Sequence, residues 1–306
     1  MRKHSTLIIL FVITACINYS SYSQCGCMSS ISVGSLSPNI GTSNNGTLKA
    51  GYFNLNLATN YIYGNTYYKG SELAPPDAVR EFYNANSTLY ASYGLNNRVS
   101  LDLAMSYIWE TYIDAPPFVF KKSGLGNIAL LGKYNVLFLP RSDFEITVGL
   151  GGKIPIQKVS DTTYIYLQPS NGAFSAIHYL YIHKGFKHIP LNFFLVNQGE
   201  YFSKNDANYK FGTTFITSFF TSYTFQEALS FSIELRNEYK SHDENNDKEN
   251  VDSGFNNIIL SPQLSFFKNN YFLSLKYDYI AYKYFNGLQA TKNYSISLNL
   301  GYEFEL

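Results

Sequence analysis

The 306-residue chain is poor in charged residues, cysteine and long apolar runs. Charged residues make up 15% of it, and 23 basic side chains nearly balance 22 acidic ones. Because no basic excess is available to bind a polyanion, we expect no nucleic-acid partner. Beyond the N-terminus, no apolar run reaches the roughly 18 residues of a membrane-spanning helix. Any membrane span must therefore consist of β-strands, which have to close into a barrel because lipid cannot satisfy an open edge.

The chain has only three cysteines, and Cys16 lies in the apolar N-terminal region. The remaining pair, Cys25 and Cys27, is too closely spaced for an easy disulfide, since bridged residues usually have Cα atoms about 5.5 Å apart. We treat this pair as candidate metal ligands, with two incidental thiols in a flexible end as the alternative. The sequence shows no nucleotide-binding loop and no zinc-ligand spacing, so no cofactor is predicted.

The N-terminus has the pattern of an export signal. A basic start precedes an apolar core at residues 7–15, and small residues follow at 21–23. This pattern predicts a signal peptide over residues 1–23, cleaved before Gln24. An alternative is a lipoprotein signal that ends at Cys16, which would then be lipidated.

Aromatic residues are abundant: 28 Tyr and 24 Phe bring their share to 17%. In the final stretch, 291–306, apolar and polar residues alternate, as expected of a strand with lipid on one side and water on the other. Similar segments recur along the chain. Twelve are predicted, at 48–63, 84–95, 98–110, 125–138, 143–157, 173–185, 189–202, 209–225, 228–240, 254–267, 270–283 and 291–306.

The gaps between these segments alternate between long and short. Long gaps such as 64–83, 111–124 and 158–172 predict extracellular loops, and short ones such as 96–97 predict periplasmic turns. We therefore predict an all-β fold, a transmembrane up-and-down antiparallel β-barrel of about twelve strands over residues 48–306. It is expected in the bacterial outer membrane, in contact with outer-membrane lipid. Residues 24–47, rich in Ser, Gly and Asn, are expected to form a flexible periplasmic lead-in or a plug.

Several charged residues fall on the predicted inner face. A Lys or Arg facing lipid at the midplane would cost about 2–4 kcal/mol, so these side chains must point inward. They are candidate pore-lining residues of a channel whose lumen is narrow or gated. The alternative is an internal salt-bridge network that braces the barrel. The candidates are Asp102, Lys133, Lys153, Glu234, Arg236, Lys276 and Asp278.

Histidines offer little support for an enzyme. His178 and His183 are predicted on opposite faces of one strand, and His188 is predicted in a periplasmic turn. His242 lies in a polar loop run, 241–252, which we expect to be solvated. We predict no enzymatic activity, and a hydrolase site at the barrel rim remains the least favoured alternative.

Four short stretches resemble a family of bacterial outer-membrane barrels. Gly149–Pro155 and Leu167–Gly172 are similar to its strand–loop feature, and Ile259–Ser265 and Tyr284–Gln289 resemble its closing hairpin. The family is loosely called transporters, or meta-pathway phenol-degradation proteins, and is similar in outline to the fatty-acid-transporter barrels. A Cys-Gly-Cys near the mature N-terminus also recurs in such proteins from Bacteroidetes-like bacteria.

This resemblance covers roughly residues 145–306, and the chain departs from it at Ser170 and Ala290. It implies an outer-membrane location and uptake of small molecules, including hydrophobic ones, but it supplies no binding residues. Composition, pattern and resemblance together predict an outer-membrane channel or transporter for small solutes. The alternative is a closed barrel that has a structural or surface-binding role, and the oligomeric state is left open.

Overall fold

The structure is a computed structural model that describes residues 46–75, 79–159, 165–186, 188–225 and 228–306. The predicted signal peptide, the lipidation alternative at Cys16 and the candidate metal ligands Cys25 and Cys27 lie outside these residues. All but the last two residues of the predicted lead-in, 24–47, lie outside them as well.

Twelve long antiparallel strands form a closed ring. Each strand pairs with the next in the chain, and the last pairs with the first over a register that includes Leu57 opposite Leu300. The predicted twelve-stranded up-and-down barrel is thus confirmed. The strands are β1 (Tyr52–Gly64), β2 (Glu81–Asn96), β3 (Val99–Ala115), β4 (Phe118–Leu139), β5 (Phe144–Ile154), β6 (Ser175–Phe186), β7 (Ile189–Phe202), β8 (Thr214–Phe225), β9 (Leu229–Lys240), β10 (Phe255–Lys268), β11 (Tyr271–Thr291) and β12 (Tyr294–Glu305).

Helical structure is minor. A 3₁₀ turn spans Ile165–Leu167. Across the described ranges, no helix is long and apolar enough to cross a membrane.

The two faces of the ring differ in the way that the alternating sequence predicts. In β12, Ser295 and Ser297 point inward and are buried, whereas Ile296, Leu298 and Leu300 point outward and are 41%, 48% and 53% exposed. Successive residues of a strand face opposite sides of the sheet, so one strand can meet two environments. The outward face is predominantly apolar, as is a surface that lipid covers.

Aromatic side chains concentrate at both ends of this outward face. Such amphipathic rings are typical of the boundary between lipid and water. The outer end carries Tyr107, Trp109, Tyr201, Tyr239, Tyr277 and Tyr279, all well exposed. The periplasmic end carries Tyr134, Phe138, Tyr223, Phe225, Phe266 and Tyr302, also exposed.

Two predicted extracellular loops are instead continuations of strands. The gap predicted at 111–124 is a protruding hairpin, because β3 and β4 stay paired up to a tight turn at Pro116 and Pro117. The gap predicted at 284–290 belongs to β11, whose outer half pairs with a short strand, Thr66–Gly70. In both places a neighbouring strand supplies backbone partners, which a local pattern of residues does not reveal.

The remaining extracellular segments carry small strands of their own. Thr66–Gly70 pairs with Glu72–Ala74 in the first loop. Tyr209–Lys210, Asp243–Asn245 and Lys248–Asn250 form a three-stranded sheet above the barrel. The segment between β5 and β6, residues 155–174, contains the 3₁₀ turn.

Candidate functional site: the barrel interior and its extracellular cover

The seven predicted pore-lining residues all point into the barrel. Each has a relative exposure of 9% or less. They do not form one ring around the lumen, however. They fall into three separate groups, each held by its own partners.

The largest group centres on Arg236 of β9. Its guanidinium donates to Glu238 at 2.9 Å, to Glu234 at 3.1 Å and to Asp278 of β11 at 2.5 Å. Residues two apart on a strand share a face, which places Glu234 and Glu238 on either side of Arg236. The five donors of a guanidinium suit such a set of carboxylates.

Further partners complete this group. Lys276 lies 3.3 Å from Glu234, and Lys292 lies 3.1 Å from Glu238. Hydroxyl groups add bonds: Ser261 and Ser295 donate to Asp278 at 2.7 and 2.8 Å. Glu234, Glu238 and Asp278 balance Arg236, Lys276 and Lys292, so the group as a whole carries no net charge. We call these six residues the β9–β11 charge network.

Two smaller groups lie on the other side of the lumen. Lys133 pairs with Asp102 at 2.9 Å, across strands β4 and β3. Lys153 of β5 pairs with Glu200 of β7, which also accepts a hydrogen bond from Ser175 at 2.6 Å. All the predicted charges thus have partners of opposite sign inside the barrel.

An apolar wall lines the interior between these two groups. It is formed by inward residues of strands β3 to β8, with four large rings at its centre. Tyr179, Tyr181, Phe194 and Phe220 are each at most 4% exposed. The interior therefore has an aromatic side on β6 to β8 and a charged side on β9 to β11.

The described parts of the segment between β5 and β6, residues 155–159 and 165–174, lie at the extracellular mouth. At one end of its 3₁₀ turn, Ile165 packs in a cluster with Tyr209 and Phe211. At the other end, Leu167 packs in a second cluster with Phe82 and Ile113. Because the two clusters belong to different sides of the barrel, this segment covers the mouth. We call it the cover.

One buried carboxylate ties the cover to two other extracellular loops. Asp243 is fully buried and accepts hydrogen bonds from the hydroxyl of Tyr166, from the hydroxyl of Tyr209 at 2.7 Å and from the backbone N–H of Gly212 at 2.6 Å. Lys240 lies 2.8 Å from the same carboxylate. Tyr166 belongs to the cover, and Tyr209 and Gly212 belong to the loop between β7 and β8. Asp243 itself lies in the loop between β9 and β10, and Lys240 is the last residue of β9.

The protonation states in this cluster favour the closed arrangement. Burial opposes the ionisation of Asp243, but the charge of Lys240 and the hydrogen bonds from Lys240, Tyr166 and Gly212 outweigh it and hold the pKa of the carboxyl below its ordinary value. Burial, together with the charge of Asp243, raises the pKa of Tyr166 and of Tyr209. Both tyrosines therefore keep the protons that they donate.

The chain enters the barrel along its inner wall at the periplasmic end. Gly46 lies so close to Glu145 that a Cβ atom there would come within 1.8 Å of Oε1. Leu48, two residues later, is only 4% exposed. The described residues just before β1, from Gly46 to Leu48, therefore lie inside the lumen.

The histidines occupy unrelated places. As predicted, His178 and His183 lie on opposite faces of β6 and His188 lies in a short turn. His183 stacks on Phe194 with ring centroids 4.8 Å apart. His242 lies in the predicted polar loop, 3.2 Å from the backbone oxygen of Asn250. Among the described residues, no group of three or more His, Cys, Asp or Glu side chains could hold a metal ion.

Sequence reasoning missed several members of these clusters. Glu238 is two residues beyond Arg236 and points inward like Glu234 and Arg236, so the alternating pattern of β9 could have predicted its place inside the barrel. Lys292 follows the last residue of β11, and it meets Glu238 only because the barrel brings residues 54 positions apart together. The role of Asp243 depends on contacts among three loops and left no local signal.

Comparison with known proteins identifies the fold. No family model matches the chain, and no curated protein matches it. Among solved structures, an outer membrane channel from Pseudomonas putida F1 is similar with a TM-score of 0.73 at 12% identity, over 84% of this chain and 97% of that one. A KdgM porin gives a TM-score of 0.47 at 11% identity over 82% and 99%. The CymD monoaromatic hydrocarbon channel gives 0.44 at 10% over 92% and 93%. The fold of this chain is that of the outer-membrane β-barrels.

Proposed function

We propose that this protein is a gated outer-membrane channel for small solutes. The observation that carries the proposal is the cover, which lies over a barrel interior with one charged and one aromatic side. The buried carboxylate of Asp243 ties it to the neighbouring loops, and hydrogen bonds between Asn127 of β4 and the cover residues Ser170 and Asn171 add to this tie. A barrel with only a structural role gains nothing from charges at such depth, because burying paired charges is seldom more stabilising than burying apolar side chains. A transport path, in contrast, uses both polar and apolar surface.

The two sides of the interior favour solutes that have both a polar group and an apolar part. Tyr179, Tyr181 and Phe194 form the aromatic side, and the β9–β11 charge network forms the charged side. Both are buried in the closed barrel, so a solute would meet them only after the gate opens. We assign the pore wall to the seven predicted residues, with Glu234 and Arg236 at its charged side.

We also propose that residues 24–45 act as a plug at the periplasmic mouth. Gly46 lies against Glu145 inside the lumen, which favours a plug over a lead-in that hangs free of the barrel. A segment of this length is sufficient to fill a narrow mouth.

Planar-bilayer conductance of the refolded mature protein tests the gate. Asp243→Asn weakens the tie between the loops, and we expect its open probability to rise at least tenfold over the parent. Asp247→Asn is the matched control, because Asp247 lies in the same loop, but its side chain is 71% exposed and forms an ion pair with Lys204, outside the Asp243 cluster. Equal currents for both variants would refute gating by the cover.

Two further variants test the plug and the pore wall. Deletion of residues 24–45 is expected to raise the conductance of the open state. Glu234→Gln leaves Arg236 with less compensating charge and should shift the reversal potential under a salt gradient toward anion selectivity. An unchanged reversal potential would remove Glu234 from the pore wall.

A closed binding barrel is the second candidate function, and the neutrality of the β9–β11 charge network favours it. If this second function is correct, the parent, the Asp243→Asn variant and the truncated chain should all show no channel current in planar bilayers. A hydrolytic role at the rim would require that activity be lost on substitution of His242, and we assign it no residues.

A further inference from the structure

Five polar side chains form a track across the outward, lipid-facing wall of the barrel. They lie on five consecutive strands, β6 to β10, and are His178, Asn197, Thr217, Asn237 and Asn256, all half-buried. Asn197, Thr217 and Asn237 stand directly opposite one another in the strand register. We call this set the polar track.

Hydrogen bonds link neighbours within the track. Asn197 lies 3.2 Å from Nε2 of His178 and donates to Thr217 at 2.7 Å. Asn237 donates to Asn256 at 2.6 Å and to a backbone oxygen of β10 at 3.3 Å. Both of these bonds use the amide nitrogen of Asn237, and an amide side chain also has an oxygen acceptor with two lone pairs. Among the described residues, no hydrogen bond to the side-chain oxygen of Asn237 is seen, so this acceptor is available to a further donor.

The surroundings fix the depth of the polar track. On the lipid-facing side of β8 and β9, the next residues toward the extracellular end from Thr217 and Asn237 are Phe215 and Tyr239, which belong to the outer aromatic belt. The next lipid-facing residues toward the periplasmic end are Phe219 and Leu235, which are apolar. Two residues advance about 6.7 Å along a strand, so with the usual tilt Asn197, Thr217 and Asn237 lie about 5 Å beneath the belt. In the strand register, His178 and Asn256 stand level with Phe215 and Tyr239, at the belt itself.

The opposite wall has no amide or imidazole at the three corresponding positions. There, Tyr63, Tyr279 and Tyr294 form the belt, and the positions one step below are Tyr61, Tyr277 and Ile296. Polar groups that face hydrocarbon are destabilising unless their hydrogen bonds are satisfied. The bonds within the track satisfy part of this requirement. A polar partner at this depth would satisfy the rest.

We propose that the polar track binds outer-leaflet lipid whose acyl chains carry amide and hydroxyl groups, as those of lipid A do. In such a lipid, the amide and hydroxyl groups lie just beneath the headgroup, at the depth of the track. They supply both donors and acceptors, which match the mixed character of His, Asn and Thr side chains. The proposal concerns the outer wall and does not depend on what passes through the lumen.

Curvature argues against a second copy of the chain as the occupant. The polar track extends over five of the twelve strands, whereas two convex barrels in contact meet along only a few. Lipid molecules can follow the curved wall over its whole arc. Self-association is accordingly an outcome that the test has to detect.

Native mass spectrometry of the detergent-purified protein tests the proposal, with defined lipid A and cardiolipin added in equal amounts. Cardiolipin also has two phosphates and four acyl chains, but these chains carry neither amide nor hydroxyl groups. We expect the wild-type protein to retain lipid A at least tenfold more than cardiolipin. Equal retention would overturn the proposal without any variant being needed.

The variant N197V/N237V removes the centre of the polar track. Its retention of lipid A is expected to fall at least fivefold, with no change for cardiolipin and none in conductance. Thr59→Val is the matched control, since Thr59 is an exposed outward polar residue on β1, outside the track. Unchanged lipid A retention in N197V/N237V, or a wild-type dimer that this variant abolishes, would overturn the proposal.

Discussion

Replacing Arg236 with Met tests how the barrel interior is held together. In the parent, the side chains of Arg236, Glu234 and Asp278 are 6%, 1% and 7% exposed. After the substitution, Glu234 keeps Lys276 and Glu238 keeps Lys292. Asp278 keeps only hydroxyl donors, Ser261 and Ser295, within the described interior.

The expected loss follows from this one uncompensated carboxylate. Removing one partner of a buried ion pair typically costs about 3–5 kcal/mol. Water entering the space of the lost guanidinium would partly solvate Asp278, so we expect about 3 kcal/mol. The double variant R236M/D278N removes the uncompensated charge and should recover most of that loss.

Denaturant unfolding in lipid vesicles measures the effect, with fluorescence of the single tryptophan as the signal. A loss under about 1 kcal/mol for Arg236→Met would mean that bulk water already screens the network. That result would refute the tight packing argued here. Equal losses for R236M and R236M/D278N would show instead that packing, and not charge, is responsible.

Three other substitutions or conditions test the remaining features. Leu298→Arg puts a charge on the lipid face and is expected to lower the free energy of unfolding in vesicles by about 2–4 kcal/mol. Asn299→Arg, on the inward face, should lower it less. Equal losses for the two variants would contradict the assigned orientation of β12. Trp109 is 60% exposed on the outer wall and donates to Ser87 at 2.8 Å, so brominated lipid should quench its fluorescence, and unaffected emission would place it elsewhere. The pKa of Asp243 is lower in the folded state than in the unfolded state, so its contribution to the stability of the closed loops is present above about pH 4 and is lost as the pH falls through the folded-state pKa. Conductance should therefore stay low from pH 7 to about pH 4.5 and rise only in stronger acid. A rise near pH 6 would exclude Asp243 as the tie.

The sequence predicted the barrel because inward polar and outward apolar residues alternate along a membrane strand with a period of two residues, the shortest possible period. In β12, inward Ser295 and Ser297 alternate with outward Ile296 and Leu298, and this assignment needs no knowledge of distant residues. The predicted loop at 111–124 was wrong because its residues find partners across the hairpin. There, Lys121 lies 3.0 Å from Glu110, and Tyr112 stacks on Tyr83 of β2.

The inward charges were also predicted, but their partners were not. Alternation placed Glu234 and Arg236 inside, since neither can face lipid cheaply. Which cation meets which carboxylate depends on barrel closure, as the pair of Lys292 and Glu238 shows. The polar track was likewise invisible, because an isolated Asn197 or Asn237 reads as a local exception on an apolar face.

By itself, the sequence determined the class of fold, the strand count and the side of the wall to which most residues belong, because each of these follows from a period of two residues. The tertiary structure alone decided that the mouth is covered, that Asp243 joins three loops and that polar residues of five strands line up at the outer aromatic belt and just beneath it. These features arise from contacts between segments that are far apart in the chain. Their geometry is set by strand register and loop packing, which no local pattern of residues encodes.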